Sequence, residues 1–310
     1  NKSKPYVFYP KGGPFSKWYG NNWIVIKYND PDVYTYLKTH GNKLPSEAFY
    51  LKEGVTYCSS GSRGCSFRYM PQNQVISGAG PGIYPSEKFV NIYYYLAFLN
   101  SLLSIYLLDC LNPTVNVTQG DIKRIPFANP PSDLEKNVAT LSKQNVQIKS
   151  SQCKYSMIEY SFVQSPIQSE NDIRSCIFSF YTDENGLNTL ILLNESYINF
   201  CIFKVYSLSK HDQQLILDKE GYPVGDYSVS SQAKEAYKKW LSANTEFPAS
   251  QEVLEHIDSL EINEDQPHID DFESLYQNNN GWEEFCIKHK MNPIEVWYQF
   301  KNAGILPPQR

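Results

Sequence analysis

Short runs of alternating aromatic and polar residues before residue 85, a long apolar stretch at 89–111 and a helical, acidic stretch beyond 207 predict a mixed α/β (α+β) protein. The expected architecture is a twisted mixed sheet with packed helices, followed by a helical C-terminal module. Three segments organise it: 1–130, then 131–206 as a linker helix with an α/β continuation, then 207–310 as an acidic helical module. With 41% hydrophobic and 15% aromatic residues among 310, the chain has enough apolar surface for a sizeable core.

Residues 5–30 alternate aromatic and polar side chains and are broken at Gly12-Gly13-Pro14 and Gly20-Asn21-Asn22, which reads as strand, turn, strand, with residues 23–28 as the second β segment. A short helix is expected at 32–40, ending at Gly41. Residues 54–70 favour two strands around a Ser/Gly/Arg cluster at 59–64, and 74–76 is a further strand candidate ahead of the glycine-rich 77–82. The apolar run 89–111 has the length of a membrane span, but Asn91, Asn100, Ser101, Ser104 and Asp109 inside it argue for one or two packed helices, with Ser86 as N-cap and Pro113 beyond the end. No membrane association is expected.

After Pro126, an extended linker runs into a polar helix. Residues 176–181 look strand-like, and 186–203 contains a helix expected to pack on them. In the last segment Asn292 reads as an N-cap, Pro293 as the first helical residue, Glu295 as the third, and Gly304 as the stop signal. There is no internal repeat.

Seven scattered cysteines, Cys58, Cys65, Cys110, Cys153, Cys176, Cys201 and Cys286, show no C-x-x-C pair. A reduced, cytoplasmic setting fits them better than a disulfide scaffold, and makes the sequons at Asn1, Asn116 and Asn194 chance matches. The chain begins NKSKPYVFYP, without an initiator Met or an apolar signal region, and reads as a stretch from the interior of something longer. Its net charge of −5 is unevenly spread. Residues 1–130 carry 13 Lys+Arg against 7 Asp+Glu, residues 131–210 carry 7 against 8, and residues 211–310 carry 8 against 18. Any polyanion-binding face therefore belongs to the N-terminal half.

Catalytic signatures are missing. The five histidines lack zinc-ligand spacing, and there is neither a G-x-S-x-G elbow nor a Walker lysine. The glycines at 78–82 precede a Tyr-Pro pair rather than a helix start, which favours a turn over a phosphate cradle. Asn129-Pro130-Pro131 is followed by Ser132 where base-stacking chemistry would need an aromatic ring, so it reads as linker. No metal, catalytic residue or bound cofactor is expected in this chain.

Three polar clusters stand out. Lys11, Lys17, Trp18, Tyr19 and Asn21 mix cations, aromatic rings and an amide near glycine turns, a combination suited to phosphates and base edges. Arg63 and Arg68, with Ser60, flank a serine-rich turn, and an arginine fork matches guanine in the major groove. Asn112, Thr114, Asn116, Gln119, Lys123 and Arg124 add amides for adenine and cations for the backbone. Each has a structural alternative: Trp18 in the core, Asn112 and Asp121 as caps, Lys123 and Arg124 simply solvated. Lys11, Lys17, Lys123 and Arg124 are the phosphate candidates; Arg63, Arg68, Asn112 and Gln119 are the base-reading candidates.

The strings KGGPFSKWYGN at 11–21, GVTYCSSGSRGCSFRYMP at 54–71 and FLNSLLSIYLLDCLNPTVNVTQGDI at 98–122, followed by Ile125-Pro126, resemble the C-terminal part of BREX-type (PglX-like) adenine-specific DNA methyltransferases. Related fused restriction–modification methyltransferases are similar here too. The resemblance covers 5–160 well and 203–225 weakly. It departs at Tyr57, where the family usually has Trp, at Ser16, where a basic residue often stands, and at 142–156. It implies a target recognition domain that reads duplex DNA and presents an adenine to an upstream methyltransferase domain. That domain would flip the base and methylate N6 with S-adenosylmethionine in bacterial phage defence. Two other readings stay open: a specificity subunit of a multi-subunit restriction system, and a protein-interaction module. In the second, the acidic 211–310 region would dock another defence-system protein or a DNA-mimic inhibitor.

Overall fold

The structure, a computed structural model, describes residues 6–40, 44, 46–61, 64–84, 91–166, 172–277 and 281–304. The chain divides into two compact units, one built from 1–163 and 201–220, the other from 164–200 and 221–310. The expected boundaries near 130 and 207 both fall inside the first unit. The mixed α/β class is as expected, and the β structure consists of small antiparallel sheets.

In the first unit, β1 (Val7–Phe8) pairs antiparallel with β2 (Val25–Ile26). Helix α1 (Pro31–Thr39) follows, started by Asp30, whose carboxylate accepts from the backbone of Asp32 and Val33, and by a proline that suits the first turn. A second sheet has the order β4-β3-β5, with β3 (Gly54–Tyr57) at its centre, β4 (Phe67–Met70) on one side and β5 (Gly82–Ile83) on the other. The third strand is therefore Gly82–Ile83 and not 74–76. Gln74 forms only an isolated parallel bridge with Phe8, because Val75 and Ile76 are drawn into a core with Tyr9, Tyr50 and Met70. A second isolated parallel bridge joins Trp18 to Arg68 of β4.

The apolar run folds as α2 (Ile92–Leu99) and α3 (Leu102–Leu111), bent by 61°. Among the described residues no single helix is long and apolar enough to cross a membrane. The polar residues inside the run create the bend. The Asn100 side chain accepts from the Phe67 N–H at 3.0 Å and donates to the Phe67 carbonyl at 2.9 Å, so it pairs with β4 much as a strand residue would. Ser101 then caps α3 through the N–H of Ser104. The N-cap of α2 is Asn91; the expected cap, Ser86, lies outside the described residues. Helix α4 (Gln119–Arg124) is short, and α5 (Ser132–Gln152) packs Val138, Leu141 and Val146 inward beside α2. Between them, Tyr206 stacks on Phe98 at 5.7 Å, donates to the Pro126 carbonyl at 2.6 Å and accepts from the Ala128 N–H at 3.0 Å, which fixes the extended linker.

The second unit is helical. Helix α6 (Ile173–Val205) contributes residues 173–200 to it, and the strand expected at 176–181 is part of this helix. Asp172 starts the helix by accepting from the Ser175 N–H at 3.1 Å, the Asn185-Gly186 pair inside it does not break it, and Phe178 stacks on Phe300 at 6.1 Å. Local β propensity loses to this packing. The same unit holds α8 (Ser231–Ala243), α9 (Gln251–Ser259), α10 (Glu273–Gln277), α11 (Gly281–His289) and α12 (Pro293–Ala303), of which α8, α11 and α12 bond to α6 through Tyr237, Trp282 and Trp297; α7 (Lys210–Glu220) belongs to the first unit. The start and stop of α12 are as expected, with Asn292 accepting from the Ile294 N–H and Gly304 left-handed at φ +60°. Glu295, however, points away from its own helix start and binds the N–H and hydroxyl of Ser230 at 3.1 and 2.6 Å.

Candidate nucleic-acid interface

The string LNPTVNVTQGD folds into a loop held by its own side chains. Asn112 caps α3 and then reaches across the loop, its amide donating to the Asn116 carbonyl and to the Asp121 carboxylate, both at 2.8 Å. Its other end accepts from the N–H and hydroxyl of Thr114 at 3.1 and 2.7 Å. Thr118 and Asp121 close the loop with a capping box, in which Thr118 accepts from the Asp121 N–H and Asp121 accepts from the Thr118 N–H. The hydrogen bonds from Asn112 and Thr118 hold the Asp121 carboxyl below its ordinary value.

This loop is zipped to the turn that follows β3. Ser60 and Asn116 form an antiparallel bridge, flanked by Val117 N–H to Ser59 carbonyl at 3.0 Å and Gly61 N–H to Val115 carbonyl at 3.3 Å. Gly12 packs so closely on Cys58 that an added Cβ would lie 2.8 Å from its sulfur. The three clusters therefore adjoin one another: Lys11 precedes Gly12, Ser60 follows Cys58, and the 112–118 loop lies against both Ser60 and α4.

The side chains divide into exposed and buried sets. Lys11, Ser60, Thr114, Asn116, Gln119, Lys123 and Arg124 are exposed. Lys11 lies over the Tyr9 ring at 5.1 Å, and Lys123 and Arg124 form no ion pair among the described residues. Asn112 is half-buried and holds the loop rather than facing outward. Lys17 and Tyr19 are also half-buried, and burial raises the Tyr19 hydroxyl above its usual range.

Three candidates are inside the fold. Trp18 is 1% exposed and left-handed at φ +73°, its backbone bonded to Phe67 and Tyr69 on either side of Arg68. Arg68 is itself 1% exposed, and its guanidinium has no hydrogen-bond partner among the described residues; burial lowers its pKa below the usual guanidinium range. Asn21 is buried with its amide on the Pro14 carbonyl at 3.0 Å. Buried at 1%, 1% and 7% exposure, the Trp18, Arg68 and Asn21 side chains face the interior and do not present themselves to a groove of DNA. Arg63 lies outside the described residues.

A cleft of about 300 Å³, not signalled in the sequence, opens beside α4 in the same unit. It brings together Phe49, Tyr84 and Tyr95 with Gln119 and Lys123, residues from four separate stretches of chain, which explains why no local pattern announces it.

No family model matches the chain. Two curated proteins are similar to part of it. The adenine-specific methyltransferase BrxX of Escherichia coli O9:H4 (strain HS) is 31% identical over 136 residues, covering 43% of this chain and 11% of that protein. The adenine-specific methyltransferase PglX of Lacticaseibacillus casei (strain Zhang) is 29% identical over 142 residues, covering 41% of this chain and 11% of that protein. The matched part of the chain thus spans about a tenth of the length of these relatives, which share the activity in their names.

Proposed function

We propose that this chain is the DNA-reading part of an adenine-specific DNA methyltransferase of bacterial phage defence, acting on a duplex that a separate methyltransferase domain modifies. The observation that carries this reading is the rigid loop at 112–121, zipped to the turn at 59–61 and ending in the exposed cations of α4. Lys11, Lys123 and Arg124 contact phosphates; Ser60, Asn116 and Gln119 face base edges. A loop fixed by its own hydrogen bonds suits this task, since little ordering entropy opposes its docking. The similarity to two adenine-specific methyltransferases supports this reading, and for the upstream domain we take the reaction to be N6 methylation of a flipped adenine.

S-adenosylmethionine is assigned to the methyltransferase domain. The glycine-rich stretch at 78–82 does not suit it, because it leads into β5 and offers no helix start. The test is duplex binding as a function of salt. Affinity should fall steeply as salt rises, and Lys123→Ala with Arg124→Ala should flatten the log–log slope by roughly 0.9 for each phosphate contact removed. A slope near zero in the unaltered chain sinks this reading. It would favour the protein-interaction module, for which exposed Met157, Ile158, Tyr160 and Val163 offer an apolar surface.

A further inference from the structure

The cleft beside α4 is built as a ring-binding site. Phe49 and Tyr84 stack with centroids 5.0 Å apart and planes 20° from parallel, and Phe49 remains 44% exposed. The Tyr84 ring can lie flat on the sheet because glycine occupies two places beneath it. A Cβ at Gly54 would lie 3.0 Å from the ring, and one at Gly82 would lie 2.7 Å from it. The Tyr84 hydroxyl is buried without a hydrogen-bond partner among the described residues.

Gln119 and Lys123 line the same cleft as the aromatic pair, and Lys52 lies over the Phe49 ring at 5.8 Å. The nearby carboxylate of Glu47 is bound by Tyr34 and Lys38, so it does not oppose an anion. A wholly apolar ligand would leave Gln119 and Lys123 desolvated without recompense, and a bare phosphate would make no use of the rings. A flat heterocycle with hydrogen-bonding edges and an attached phosphate satisfies both. The volume of about 300 Å³ is at the small end of ligand sites. It admits one base and excludes a stacked pair of strands.

We propose that this cleft receives a single unstacked nucleotide of the bound DNA, its base against the Phe49–Tyr84 wall and its phosphate at Lys123. The proposal rests on the DNA-reading assignment for the source of the nucleotide. Its role would be to hold an extrahelical base within the recognition part of the protein, apart from the adenine being methylated. Stacking of one base on aromatic side chains is worth a factor of roughly five to 150 in affinity.

The experiment compares the full 310-residue chain on an intact fluorescent duplex and on the same duplex carrying one bulged nucleotide. The bulged duplex should bind at least fivefold more tightly, and that ratio should fall to one in Phe49→Ala and in Gln119→Ala, both exposed positions. A ratio of one in the unaltered chain, or a ratio that survives both substitutions, overturns the proposal. If neither duplex binds, the DNA-reading assignment fails, and the cleft is then judged on deoxyadenosine monophosphate alone. Saturable binding abolished by Phe49→Ala supports the site; no binding refutes it.

Discussion

The two units use the same polar side chains in opposite ways. In the first, Asn112, Thr114, Thr118 and Asp121 bond to one another around a loop that faces solvent. In the second, Asn292, Ser230 and Glu295 do the same work between buried helices. There the Asn292 amide donates to the Tyr227 carbonyl at 2.7 Å, and Glu295 is 3% exposed. One arrangement shapes a surface, and the other locks a core. Side-chain chemistry alone does not separate them; exposure does.

The most severe test of the core side is Trp297→Ala. Trp297 is fully buried, donates to the Thr182 carbonyl at 3.0 Å and packs edge-on to Tyr237 at 5.2 Å. Its loss should cost about 3–5 kcal/mol in denaturant unfolding. A cost near zero would show that the second unit is not the tightly packed element described.

Next in size is Gly186→Ala, where local propensity and packing disagree. Alanine should favour α6 by about 1 kcal/mol. Yet its Cβ would lie 2.6 Å from the Trp240 ring, and Tyr237 donates to the Gly186 carbonyl. Overpacking of this kind costs about 1–3 kcal/mol. Net destabilisation is expected, with a change in tryptophan fluorescence; a rise in melting temperature would mean that Trp240 yields easily.

On the surface side, Asn112→Ala removes the bonds that span the loop and should cost about 1 kcal/mol. Amide exchange at 116–118 should accelerate while the second unit keeps its protection. The loop should also be acid-sensitive. The Asp121 carboxyl has its folded value below its unfolded one, so its contribution is complete above the unfolded carboxylate range and is lost as pH falls through the folded value. Carboxyl NMR titration locates that value, and Asp121→Asn should abolish the acid-dependent part. The smallest effect on stability belongs to the Lys123→Ala, Arg124→Ala pair, within about 0.5 kcal/mol, although it should change the salt dependence of DNA binding. Equal effects on both would blur the distinction between scaffold and surface.

Much of the first unit was legible locally. The hairpin from β1 to β2, the strands around 59–64 and α1 follow from turn residues and caps, as do the start and stop of α12 in the second unit, because those signals act within a few residues. The bend between α2 and α3 was half legible. Asn100 and Ser101 mark it, but only β4 shows why the amide is there. The strand expected at 176–181 failed for the opposite reason, since Phe178 within it serves helix packing on Phe300.

The candidate site divides along the same line. The sequence by itself determined the 112–124 segment, whose spacing of Asn, Thr and Asp closes a loop on itself and leaves two cations at its end. It determined the basic balance of the N-terminal part and the absence of catalytic spacing as well. Only the tertiary structure decided that Trp18, Asn21 and Arg68 are inside, because burial depends on which strand pairs with which. It alone brought Ser60 against Asn116 and gathered Phe49, Tyr84, Tyr95, Gln119 and Lys123 around one cleft. Caps and turns act over a few residues of chain, whereas exposure and cavity shape depend on contacts between residues far apart in sequence.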